Sequence, residues 1–335
     1  MNIKIFMATA NSYLERELLQ NFGAGIDKWI QENLPEEDRF KDIVRIGRWA
    51  NVQADVVNTL EYEYSENYTP CDVAVMSGSW KPREKGHHLV RNSVAQNSKC
   101  FVCIETPLLG RKTSNENTHW RVGVNGFLNQ SASWPDLDSA RGKTRLDDLG
   151  IEWSGWQNNI DGHIVLALQL PGDASLRGTD INDWAFRTIR DIRKVSDRPI
   201  VVRNHPLASM RAFGDHEELA RKILLEGISN IKFSDGAEVA WADDLADAYC
   251  TVTYTSGLAI DSIIAGIPTV ACDTGNFAWS ISTNFVKEIE DIKMSDPAEV
   301  NVWLEQLALC QWTLDEMYTG EAWLALLPVI ETAKK

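Results

Sequence analysis

Short apolar runs alternate along this chain with longer amphipathic segments, and no other feature of the sequence restricts the fold so strongly. Residues 3–8, 72–77 (DVAVMS) and 99–104 (KCFVCI) read as strands, with 13–30 and 86–97 as helices between them. Apolar strands separated by helices make a parallel sheet covered on both faces. The rhythm breaks over 110–134, a polar stretch rich in Asn, Ser, Gly and Trp, and over 135–150, which is charged and turn-rich. It then restarts. Residues 164–169 (IVLALQ), 200–203 (IVVR), 231–233, 250–254 (CTVTY) and 268–272 read as strands, and 181–195 and 216–225 as helices. Another helix runs from 255–257 to Ala265 with Gly266 as its cap, and helices close the chain from about 297. The 335 residues exceed one ordinary core. The expectation is two α/β domains, 1–155 and 156–320, followed by a closing helix at 321–335.

No apolar run approaches the ~20 residues that span a bilayer, so no integral membrane segment is expected. The first apolar run is short and passes at Asn11-Ser12 into a polar helix. It reads as a strand and not as a signal peptide, which predicts a cytoplasmic location. The six cysteines are scattered. Cys100 and Cys103 form a C-x-x-C without a second pair, and a strand points them to opposite faces. Reduced, buried thiols are expected.

The formal charge is -15, unevenly spread. Residues 1–150 hold 18 Lys and Arg against 20 Asp and Glu, and residues 151–335 hold 15 against 28. Within the first half, 77–121 carries eight bases and three acids. An acidic whole repels polyanions at long range, yet a local basic cleft still holds one. A solvated helix face with ordinary charges explains the same segment.

Ligands of open parallel sheets bind at the carboxyl ends of strands, and three polar clusters fall at such ends. The first runs from Gln169 through Gly172 and Asp173 to Ser175. The second is Arg203-Asn204-His205-Pro206, and the third is Thr255-Ser256-Gly257. In the third, backbone N–H groups and a helix dipole favour an anion, the hydroxyls add donors, and Gly257 admits close approach. Asp261, four residues on, suits a ribose diol. The alternative is an ordinary N-cap. Pro206 holds His205 extended, where an imidazole donates to a phosphate or acts as a general acid. A plain turn histidine is the alternative, as plain turn chemistry is for 169–175. The glycine signatures of dinucleotide and P-loop sites are missing, as are G-x-S-x-G and H-E-x-x-H.

The three clusters in this order, ending in the block 254–268 (YTSGLAIDSIIAGIP), resemble the capsule-polysaccharide-synthesis glycosyltransferases, to which the bacterial Kdo transferases belong. GT-B sialyltransferases share an analogous His-Pro and Ser/Thr pair. The resemblance covers mainly 163–280. The first half is similar in rhythm and in the Glu105 to Arg111 stretch, and is also reminiscent of phage-encoded transferases. The resemblance implies an α/β GT-B fold, two Rossmann-like doubly wound domains facing a central cleft, with the donor nucleotide on the second. His205 and Ser256, with Thr255, would hold the donor phosphate. Asp261 would lie near the ribose, and Gln169 and Asp173 would line the cleft, with Ser175, Arg203 and Gly257 beside them. No metal and no cofactor are implied, only a nucleotide-sugar donor, with a UDP-sugar ahead of a CMP-sugar.

An inverting transfer needs a base for the acceptor hydroxyl. Glu105, at a strand end before a Pro turn, is the first candidate, ahead of Asp72, His87, His88 and His119. With His205 it makes the catalytic pair. Two acceptors are weighed. One is a 5-hydroxymethylpyrimidine (5-hydroxymethylcytosine) in phage DNA, met by Lys81, Arg83, Lys85, Arg111, Lys112 and Arg121, with Trp120 helping to extrude the base. The other is a capsule or surface glycan. A non-catalytic protein binding nucleotide-sugar or nucleic acid is the reading of another class.

Overall fold

A computed structural model describes residues 1–6, 13–36, 43–46, 71–78, 94–112, 116–136, 138–207 and 216–333. They form eleven strands: β1 (Ile3–Phe6), β2 (Ile43–Ile46), β3 (Cys71–Ser77), β4 (Ser98–Glu105), β5 (His119–Val124), β6 (His163–Ala167), β7 (Ile200–Arg203), β8 (Ile231–Ser234), β9 (Ala248–Thr253), β10 (Thr269–Ala271) and β11 (Gln311–Thr313). The chain divides into two compact Rossmann-like α/β units. One comprises Met1–Phe127, Ser131–Leu149 and Glu305–Lys335, the other Leu128–Gln130 and Gly150–Leu304.

The first unit carries a six-stranded sheet in the order β11-β5-β4-β3-β1-β2. β1 to β4 pair in parallel, whereas β5 runs antiparallel to both β4 and β11. The helix Tyr13–Asn33 turns Leu18, Phe22, Ile26 and Ile30 inward at four-residue intervals, the spacing of one helix face. That stripe packs on Ile3, Ile5, Val73, Val75, Trp312 and Trp323. A Cβ on Gly25 would stand 2.1 Å from the Met317 carbonyl oxygen, so only glycine lets the helix cross there.

Three expectations for this unit are corrected. The stretch 110–134 contains β5, whose six residues are all buried although two of them, His119 and Arg121, are polar. The stretch 135–150 is mainly the helix Ser139–Leu149. Residues 305–335 neither extend the second domain nor stand alone. They supply β11 and two helices to the first unit. What fastens them is a partly buried ionic hub. Glu316 Oε1 accepts from Arg141 at 2.8 Å and from Arg145, while its Oε2 closes a capping box with Thr313. Both guanidiniums lie over the Trp312 ring, with Arg145 at 4.5 Å and Arg141 at 5.1 Å. The Gln311 side chain, fully buried, accepts the N–H groups of Leu108 and Leu109 at 3.0 and 3.1 Å, and so fixes the loop that leaves β4.

The second unit carries a five-stranded, wholly parallel sheet in the order β10-β9-β6-β7-β8. The chain leaves β6 on one side for β7 and β8, then returns to the other for β9 and β10. The topological switch point therefore lies between β6 and β9, at their carboxyl ends. The helix Ile181–Arg193 starts at Asp180, whose carboxylate caps the N–H groups of Asn182 and Asp183, and buries Ile181, Trp184, Ile189 and Ile192 on the sheet. Part of the 254–268 block serves this fold. Ser262 Oγ donates to the Ile267 carbonyl and accepts from Thr251 Oγ1. Gly266 has φ +77°, and a Cβ there would lie 2.4 Å from the Gly155 oxygen. Among the described residues, no helix is long and apolar enough to cross a membrane.

Candidate functional site

Gln169 follows β6 and Thr255 follows β9, so the switch point sets them side by side, and the Gln169 amide joins them. Its Oε1 accepts the Thr255 N–H at 3.0 Å. Its Nε2 donates to Thr255 Oγ1 at 3.1 Å and to Ser175 Oγ at 2.7 Å. Ser175 Oγ donates in turn to Asp173 Oδ1 at 2.7 Å, and Thr255 Oγ1 to the Ser175 carbonyl at 3.1 Å. Every proton of the amide and of both hydroxyls then has one acceptor, which fixes the amide orientation. Gln169 and Thr255 are 6% and 8% exposed. Asp173 also caps the short 3-10 turn Ala174–Leu176 through the Ser175 N–H, so backbone and side chains of this loop are held together. The first and third sequence clusters are thereby one network.

Beside it, Ser256 Oγ accepts the Leu258 N–H at 3.2 Å, while the N-cap position itself is Gly257 and carries no side-chain cap bond, so the turn is not the ordinary N-cap by Thr255 or Ser256. The helix that follows, Leu258–Ile264, has only seven residues. Gly257 and Asp261 sit at its entry and in its first turn, both half-buried. Two residues that the sequence reading passed over complete this edge. Arg177 ends the 3-10 turn in the left-handed region, φ 50°, and its guanidinium pairs with Asp273, just past β10. Asp273 Oδ1 also accepts the Gly275 N–H at 2.7 Å. A Cβ on Gly275 would lie 3.3 Å from Thr255 Cγ2, so the β10 loop reaches the network. Asn276 ties that loop down by donating to Thr253 Oγ1 at 2.8 Å. A Gly-containing turn after the strand at 268–272 was the available signal.

The second cluster stands on the other side of β6. With strands about 4.8 Å apart, the tips of β7 and β9 lie about 10 Å from each other. Arg203 points into the fold: it pairs with Asp244, 5% and 8% exposed respectively, and donates to the Val239 carbonyl at 2.9 Å. Ser234 Oγ gives Asp244 a further bond at 2.7 Å. Arg203 is thus occupied in holding the β7 and β8 ends and is not turned toward a ligand. His205 is half-buried, and its Nδ1 accepts the Leu207 N–H at 3.1 Å, so the neutral ring carries its proton on Nε2. Between them, Asn204 Oδ1 is buried without a hydrogen-bond partner among the described residues. Gly236 packs closely on this turn, since a Cβ there would lie 2.2 Å from the Asn204 backbone carbonyl oxygen.

In the first unit, Glu105 ends β4 directly opposite Arg121 on β5. Its carboxylate lies 3.9 Å from the guanidinium and accepts the Thr106 N–H at 3.0 Å. Burial pulls the Arg121 pKa down, and Glu105 opposes this. Two acceptor-binding expectations are corrected. Trp120 is 5% exposed and belongs to the hydrophobic core. Arg121 is 9% exposed and committed to Glu105. Neither is available at the surface, because both faces of β5 are buried. His119 is also buried, which lowers its pKa. Asp72 lies at the amino end of its sheet, bonded to Lys99 and to the Asn2 N–H. Arg111 and Lys112 are exposed. Lys81, Arg83, Lys85, His87 and His88 lie outside the described residues. All six cysteines are free thiols. Burial pushes Cys71 up to about 11, and Cys272 and Cys310 to about 12.

No family model matches the chain, and no curated protein matches it. Among solved structures it is similar to KpsC of Thermosulfurimonas dismutans, a beta Kdo 2,7 transferase, at 12% identity and a TM-score of 0.48, over 98% of this chain and 99% of that one. It is similar to the KpsC beta Kdo 2,4 transferase of the same organism at 12% identity and 0.48, over 91% and 90%. The UDP-GlcNAc 2-epimerase of Methanocaldococcus jannaschii, in complex with UDP-GlcNAc and UDP, gives 12% identity and 0.33, over 98% and 100%.

Proposed function

We propose that this chain is a nucleotide-sugar-dependent glycosyltransferase of the GT-B kind that acts on a capsule or other surface glycan. The observation that carries this reading is the network of buried Gln169 and Thr255 with half-buried Asp173 and Ser175 at the switch point of a parallel sheet. A parallel sheet of this order takes nucleotides at that crevice, and a network so fully bonded presents a rigid floor to a ligand. The resemblance of 254–268 to the capsule transferases supports a sugar nucleotide as that ligand. Asn204 Oδ1, buried without a partner among the described residues, offers an acceptor at the next strand tip, where leaving such a group unpaired costs about 1–3 kcal/mol.

In this reading His205 donates its Nε2 proton toward the departing phosphate, with Nδ1 held by the Leu207 N–H. Ser256 is the second phosphate contact, and Glu105 is the acceptor's base. Arg203 keeps the β7 turn in place. A modified-DNA acceptor loses the aromatic meant to help extrude the base, since Trp120 is in the core, while Lys81, Arg83 and Lys85 of the basic segment lie outside the described residues.

The test is calorimetric titration of UDP, CMP and GDP, followed by a donor screen with capsule-type oligosaccharides read by mass spectrometry. Micromolar binding of one nucleotide and a sugar-dependent mass gain on the acceptor are expected. Absence of binding by all three nucleotides would remove the reading. Glu105→Gln should abolish transfer while leaving nucleotide affinity as it was.

A further inference from the structure

We propose that Arg177 is a phosphate-binding residue of the donor site, held in place by Asp273; this rests on the nucleotide-sugar reading above. Arg177 leaves the β6 loop and Asp273 leaves β10, and these two strands flank β9. A side chain that joins them passes over the tip of β9, where Thr255, Ser256 and Gly257 form the turn. The guanidinium is therefore placed by both of its ends. Its backbone is held left-handed at φ 50° by the turn that Asp173 caps, and its head is held by Asp273.

Asp273 is anchored independently of Arg177. Its Oδ1 accepts the Gly275 N–H, and its side chain is 15% exposed. The arginine side chain is 43% exposed. Of its five N–H donors, the Nη2 group bonds Asp273, and no other acceptor for this half-exposed side chain is found among the described residues. A planar fork with one edge fixed and the other open is the geometry that grips a phosphate. The rest of the second unit is strongly acidic, so a cation at this strand tip also offsets repulsion of an anionic donor.

The experiment compares UDP and CMP with uridine and cytidine by calorimetry, on the full chain and on Arg177→Ala and Arg177→Lys. Loss of a charge-assisted bond to phosphate should weaken nucleotide affinity about ten- to hundredfold in Arg177→Ala. Nucleoside affinity should be unchanged, and Arg177→Lys should fall between. A thermal midpoint measured without nucleotide reports whether the substitution disturbs the fold. Equal loss for nucleotide and nucleoside, or no loss for either, overturns the assignment. If the unsubstituted protein binds neither nucleotide, the nucleotide-sugar reading itself falls.

Discussion

A glutamine amide has two donors and two acceptor lone pairs, and Gln169 spends them on three partners from two strand ends. Replacing Thr255 by Val keeps the shape and removes the hydroxyl. One Gln169 N–H and the Ser175 carbonyl then lose their partner in a buried place. Stability should fall by about 1–3 kcal/mol, read from the urea midpoint, and nucleotide affinity should fall with it. Asp244→Ala is the harsher change, because it leaves the Arg203 guanidinium buried and unpaired. A loss of about 3–5 kcal/mol is expected by the same measurement. At this scale the sequence was informative about residue type and position, and silent about direction. Gln169, Ser175 and Thr255 were all visible at strand ends. That Arg203 turns inward and not toward a ligand depends on Asp244, forty-one residues on, which no local pattern announces.

At the scale of elements, the apolar runs that became β6, β7, β9 and β10 could be read directly, because strands buried on both faces are continuous hydrophobic words. β5 escaped for the opposite reason. Its Arg121 is buried against Glu105 and its His119 is bonded to the Thr118 hydroxyl, and polar residues signal a loop to any local reading. β11 is three residues long between two helices, too short for any period to register. Gly266→Ala tests how tightly elements of the second unit approach. Its positive φ and its closeness to Gly155 predict a loss of about 1–3 kcal/mol in denaturant melts. The hub at Glu316 makes the helix Ser139–Leu149 sensitive to acid. Burial raises the Glu316 pKa, but the Thr313 N–H, Arg141 and Arg145 outweigh it and hold the carboxyl below its ordinary value. A depressed carboxylate stabilises fully above its unfolded pKa of about 4.3 and less as pH falls through the folded value. Stability of the first unit should therefore drop below about pH 4. Glu316→Gln should cost about 2 kcal/mol at neutral pH and flatten that acid slope in melts recorded from pH 3 to 7.

For the whole molecule, the second unit is nearly one continuous stretch, Gly150–Leu304, whereas the first is gathered from three segments. Expressed alone, 150–304 should fold cooperatively and keep the network around Gln169, as judged by circular dichroism and amide exchange. A chain ending at 304 should lose the first unit's transition altogether, since it lacks Gln311, Trp312, Glu316 and Trp323 from that unit's core. Survival of both transitions in the shortened chain would contradict the division described here. The restart of the strand rhythm at 164–169, which led to an expected boundary at 155/156, was legible. The return of 305–335 was not, because it is declared only by contacts spanning more than 160 residues.

That return has a consequence for synthesis. Domains are usually completed from the amino end as the chain emerges. Here the ribosome releases every residue of the later unit before the earlier one receives its final strand. Until then β5 presents a bare edge, the kind of surface on which nascent chains stick to one another, and during those seconds chaperones have the most to protect.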